Sequence, residues 1–165
     1  MLKTIVSLLV AVGFGLVLVS AANAATSPFA GTWVVNVAKS TYSPGPAPKS
    51  QTLKMEDLGS GKFKSTIDAT PATGAPTHVE VTYAFDGKPY AITPPPAAGA
   101  PGADAVAFKS IDATSFEVTP MKGGKPLGTK IVVKVSADGK TMTTTTTGTN
   151  SEGKPVNNMV ISDKK

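Results

Sequence analysis

Along most of this chain apolar and polar residues alternate one by one, the two-residue period of a β-strand. Residues 77–85 show it most cleanly, with Val79, Val81, Tyr83 and Phe85 opposing His78, Glu80 and Thr82. Residues 62–69 set Phe63, Ser65 and Ile67 against Lys62, Lys64, Thr66 and Asp68. In residues 31–37, Trp33, Val35 and Val37 fall on one face; Leu53 and Met55 do so in 50–56, and Ile131, Val133 and Val135 in 127–135. Runs at 88–92, 104–111, 115–121, 140–147 and 156–162 complete ten predicted strands, and nothing after residue 26 reads as a helix. The run Thr143 to Thr147 suits a pleated strand, because threonine is β-branched. It reads as a solvated strand, or as one whose alternate hydroxyls line a polar cavity.

Turn signals separate these runs. Gly-Lys occurs at 61–62, 87–88, 124–125, 139–140 and 153–154, and Asp86-Gly87, Gly123-Gly124 and Asp138-Gly139 are hairpin-turn pairs. Two proline-rich stretches, 38–49 and 93–102, cannot donate a regular ladder of hydrogen bonds and read as long surface loops. Serial hairpins predict an all-β, antiparallel up-and-down barrel of 8–10 strands, since closure removes the unpaired edges that invite aggregation. A two-sheet sandwich is the alternative.

The first residues follow another pattern. A basic start at Lys3, an apolar run from Ile5 to Val19 and the small-residue sequence Ala22-Asn23-Ala24 predict a signal peptide over residues 1–24, cleaved after Ala24. The run is shorter than a membrane span needs. The chain has no cysteine, so no lipid-modified N-terminus, disulfide or thiolate is available. Residues 25–165 suffice for a single domain in the periplasm or the medium, with no stable membrane anchor once the leader is cleaved. All 16 basic residues are Lys; with Lys3 gone, 15 face 11 acidic residues, a net charge of +4. These lysines are dispersed and no Arg fork is present, so nucleic-acid binding is not expected. One His and no Cys make a poor catalytic kit, and neither an enzyme nor a cofactor is expected. His78 lies on the polar face with Glu80 and lacks the further ligands a metal needs.

Phe29-Ala30-Gly31-Thr32-Trp33 resembles the G-x-W opening of the calycins, which include the lipocalins and fatty-acid-binding proteins. The resemblance implies a barrel whose first strand starts at this glycine and whose tryptophan plugs one end. Residues 31–40 together with 153–158 also resemble a group of small exported bacterial proteins without an assigned function. Lipocalins pack an arginine across the tryptophan, and this chain has no arginine. Fatty-acid-binding proteins clamp a carboxylate with arginine and tyrosine beneath a helix-turn-helix lid, where this chain has its first proline-rich loop. The barrel carries over and the clamp does not.

The candidate ligand contacts are Trp33, Phe63, Tyr83, Phe85, Phe108 and Phe116, the aromatic residues of the apolar faces. Each reads first as plain core, Trp33 above all, and second as a ligand contact. Asn157-Asn158 reads as local bonding around the Gly153-Lys154 turn. Two functions follow: an exported, non-catalytic barrel that binds a small apolar or amphipathic ligand, or a filled barrel acting as a structural or protein-interaction module of the cell envelope.

Overall fold

Eleven strands form one antiparallel sheet in the computed structural model, which describes residues 27–96, 102–150 and 153–165. They are β1 (Gly31–Val35), β2 (Ser50–Gly59), β3 (Lys62–Thr70), β4 (Thr77–Ala84), β5 (Asp86–Ala91), β6 (Ala105–Asp112), β7 (Ser115–Lys122), β8 (Lys125–Pro126), β9 (Thr129–Val135), β10 (Thr141–Thr149) and β11 (Pro155–Lys164). The spatial order is β4-β3-β2-β1-β11-β10-β9-β7-β6-β5, with β8 paired to β7 outside this path. Sequential hairpins thus curl until β4 and β5 meet. The expected up-and-down barrel is present, with ten strands in its wall. The predicted leader lies outside the described residues.

Register fixes which side chains point inward. Met142, Thr144 and Thr146 stand opposite Ser162, Val160 and Asn158 on one side and Val135, Val133 and Ile131 on the other. Trp33 stands opposite Leu53 and Lys164, and Ser65 opposite Met55 and Val81. These rows line the interior, as the two-residue period requires.

The two ends differ. At one end the strands are joined by tight turns, at Ser60-Gly61, Phe85, 113–114 and 136–140, and Phe29 lies beneath them. This end is called the floor. At the other end, the mouth, lie the first proline-rich segment, between β1 and β2, and residues 93–96 and 102 of the second, which leave β5 and enter β6 at their mouth-side termini.

Three expectations change. Residues 31–37 were expected as one strand with Val37 inward, but β1 ends at Val35 and Val37 starts a single 3-10 turn, Val37–Lys39, where it is 37% exposed. This turn lets the chain step sideways along β11, which the β1 ladder could not do. Residues 88–92 were expected to pair back on β4 across an Asp86-Gly87 turn. Instead the chain turns at Phe85, Gly87 takes a positive φ of 78° within an irregularity of the β5–β6 pairing, and β4 and β5 share no ladder. Among the described residues the backbone bonds across this seam are those of an isolated bridge two residues past β5, where Glu80 N–H donates to Thr93 O at 2.6 Å and Thr93 N–H to Glu80 O at 2.8 Å. β5 is drawn away because its ladder forms with β6. Finally, β8 is an additional short strand that folds back on β7 from the Gly123-Gly124 turn.

Candidate functional site

Trp33 closes the floor. It is fully buried, and its indole Nε1–H donates to the Phe29 carbonyl at 2.8 Å. Lys164 of β11 lies across the ring, its Nζ 4.9 Å from the centroid, a cation over an aromatic face. Lys164 thus occupies the face that the resemblance gives to arginine. Gly31 makes room for it: a Cβ there would sit 2.5 Å from Lys164 Cε, and the residue has a φ of +136°. The glycine and the tryptophan of the G-x-W sequence are therefore linked through one lysine stem.

Above Trp33 the predicted aromatic residues converge. Tyr83 stacks on Phe108 with centroids 3.6 Å apart, and Phe63 meets Phe85 at 4.9 Å. Phe85 also meets Phe116 at 5.0 Å, and Phe29, outside the predicted set, meets Phe116 edge-on at 4.9 Å. Each aromatic comes from a different strand or floor turn, and inward alternation delivers all of them to the floor half. Met55, Val81, Val133, Val135 and Met142 complete this buried layer. The Tyr83 hydroxyl reaches Ser65 Oγ at 3.1 Å; burial pushes its pKa up to about 12, while the Ser65 bond opposes the shift.

The mouth half is different. Inward residues switch from buried to half-exposed partway along each strand: between Ser65 and Ile67, Val81 and Val79, Val133 and Ile131, Met142 and Thr144. Leu53, Val106 and Val118 are likewise half-exposed. In the mouth half the inward side chains are thus less deeply buried than in the aromatic floor, though Leu53, Val106, Val118 and Ile131 still pack against its core; they are aliphatic on β2 to β4, β6, β7 and β9, and hydroxyl, amide or aliphatic on β10 and β11. Of the threonine run, Thr144 and Thr146 face inward, whereas Thr143, Thr145 and Thr147 face outward.

One wall of the mouth is a strap. After the 3-10 turn, Thr41 bridges Met159, with Thr41 N–H donating to Met159 O at 2.7 Å and the return bond at 2.9 Å. Asn157 N–H donates to Ser43 O at 2.8 Å, and Ser43 N–H donates to Asn158 Oδ1 at 2.7 Å. Asn158 therefore does not serve its own turn but pins the strap 115 positions away in sequence. Only the pairing of distant segments decides this, so no local signal revealed it. Tyr42, between the pinned residues, also went unnoticed in the sequence, standing in what reads as loop.

His78 lies on the outer wall as expected. Its Nδ1 is 2.7 Å from Asp68 Oδ1 and its Nε2 is 3.8 Å from Glu80 Oε1. Lys64 Nζ donates to the same Glu80 oxygen at 2.8 Å and holds that carboxyl below its ordinary pKa. A solvent-open hollow of about 250 Å³ adjoins them, lined by Ser50, Thr52, Thr70 and Thr77 as well as Asp68 and His78. Among the described residues no group of three or more His, Asp or Glu is arranged to hold a metal ion.

The barrel is similar to two crystal structures of the fluorescent protein UnaG. The wild type superposes with a TM-score of 0.57 at 17% identity, over 83% of this chain and 97% of that one. An asparagine-to-alanine mutant of it gives 0.57 at 18%, over 84% and 96%. At that identity the likeness is one of fold alone, an antiparallel β-barrel. No family model matches the chain, and no curated protein matches its sequence.

Proposed function

We propose that this chain is an exported, non-catalytic barrel that takes a small apolar or amphipathic molecule into the mouth-side chamber. The observation that carries the reading is the half-exposure of inward residues such as Leu53, Ile67, Val118 and Ile131 above a buried floor. An aliphatic wall that water reaches gains free energy when an apolar molecule replaces that water, about 25 cal/mol per Å² covered. In this reading the aromatic set from Trp33 to Phe116 forms the rigid base on which the ligand rests, with Phe85 half-buried at its margin. The leader through Ala24 places the protein in the periplasm or the medium, where an intact mass of chain recovered from the host's envelope fraction would begin at Ala25.

The test is binding of diphenylhexatriene, a hydrocarbon fluorophore, by the purified protein. Wild type is expected to bind it. The pair Val118→Phe and Ile131→Phe is expected to fill the chamber and abolish the signal while the β-sheet circular dichroism and a cooperative melt persist. No binding by wild type, or undiminished binding by the filled variant, would overturn the reading and leave the filled envelope module in its place.

A further inference from the structure

We propose that the chamber's ligand is uncharged, with an apolar body and one hydroxyl or carbonyl group that hydrogen-bonds to Tyr42; this rests on the ligand-binding reading above. Two observations carry it. The first is the Tyr42 hydroxyl, which has no exposed surface and no hydrogen-bond partner. Thr41 bridges Met159, and Met159 is 45% exposed on the outer wall, so alternation turns Tyr42 inward, towards the side where Thr144, Thr146 and Asn158 stand. The neighbouring bonds of Thr41 and Ser43 to β11 hold the phenol in place. A buried polar group without a partner costs stability, and a tyrosine at this place would be better replaced by phenylalanine if packing were its only role. A phenol pre-positioned at no further entropic cost is what a ligand's polar group requires.

The second observation is charge. Along the strands the inward rows carry charge towards their ends: Lys164, which lies on Trp33, and Asp57, opposite Phe63, at the floor, and Lys122, already engaged, at the rim in the β7–β8 hairpin. Between them the inward residues of the chamber are aliphatic, hydroxyl or amide. An ionised carboxylate or ammonium brought there loses its hydration and gains no countercharge. A hydroxyl or carbonyl loses far less, and Tyr42 can restore its bond as donor or acceptor.

The test displaces diphenylhexatriene with three probes of one chain length: 1-decanol, decanoate and decylammonium, at neutral pH and below their micelle concentrations. Decanol is expected to compete at least about tenfold better than either ion. Tyr42→Phe is expected to weaken decanol by roughly two- to tenfold, the reach of one neutral hydrogen bond, and to leave diphenylhexatriene unchanged. The same variant should raise the thermal midpoint of the free protein, because it removes an orphaned hydroxyl; a merely structural tyrosine would lower it. If diphenylhexatriene binds but decanoate or decylammonium competes as well as decanol, or Tyr42→Phe leaves decanol unaffected, the inference falls while the binding barrel stands. If diphenylhexatriene itself does not bind, the reading beneath it falls.

Discussion

At the scale of single residues, the floor shows how one sequence position constrains another far away. Gly31 and Lys164 are at opposite ends of the described chain, yet the lysine stem lies where a Cβ on residue 31 would be. Gly31→Ala should destabilise by roughly 1–3 kcal/mol, from its positive φ and this clash together. Lys164→Ala should relieve the clash, so the double variant should cost less than the two single costs added; a urea-denaturation cycle measures the difference. Tyr83 makes a second prediction. Its folded pKa of about 12 lies above the unfolded value near 10, so the stabilisation is complete below pH 10. It is lost as pH rises from 10 to 12, where the unfolded chain releases a proton that the fold retains, and the loss approaches about 2–3 kcal/mol. Denaturation of wild type and Tyr83→Phe across that range should show the extra slope in wild type alone. That variant also deprives Ser65, 4% exposed, of its partner, at a cost of roughly 1–2 kcal/mol at neutral pH.

At the scale of elements, the strands differ in how their edges are held. β10 is laddered on both sides, to β9 and β11, whereas β4 has no ladder on its β5 side and is bridged there, among the described residues, by Glu80 to Thr93 just past β5. In hydrogen exchange, the Thr82 and Ala84 amides, which alternation turns the same way as Glu80 N–H, should exchange faster than those of Val81 and Tyr83, which face β3. At the mouth, β9 and β10 come together through Gly148, which has a φ of +125° and where a Cβ would approach Thr129 Cα to 2.9 Å. Gly148→Ala should cost roughly 2 kcal/mol or more, seen as a lower denaturant midpoint, because the obstacle is backbone and cannot rotate away. Alternation announced nearly every strand, since each side chain's preference for core or water acts locally. The seam escaped notice because β5 had two partners available, and its choice of β6 over β4 is a comparison between distant ladders.

For the whole molecule, the interior grades from a fully buried floor to partly buried inward residues at the mouth, and large-to-small substitutions should report the gradient. Phe116→Ala or Phe108→Ala should cost about 3–5 kcal/mol, because the aromatic layer cannot collapse around the void. Val118→Ala or Ile131→Ala, whose side chains already meet water, should cost about 1–2 kcal/mol by the same denaturation measurement. Most of the aromatic floor was legible in the sequence: Phe63, Tyr83, Phe85, Phe108 and Phe116 sit at inward positions of predicted strands, and burial of large rings settles their destination. The gradient of burial was not legible, because a partly buried Ile131 and a buried Val133 read identically along a strand. Tyr42 and Asn158 were missed for a related reason: the strap that unites them pairs segments whose contact no local pattern encodes. By itself, then, the sequence determined the strands, their faces, the turns and the aromatic layer, because alternation and positive-φ glycines act over a few residues. Tertiary structure alone decided where the barrel closes, that the first proline-rich loop lies at the same end as residues 93–96, and that, among the described residues, the Tyr42 hydroxyl is buried without a partner. Those outcomes depend on how far ten strands curl before their edges meet, a property of the closed sheet.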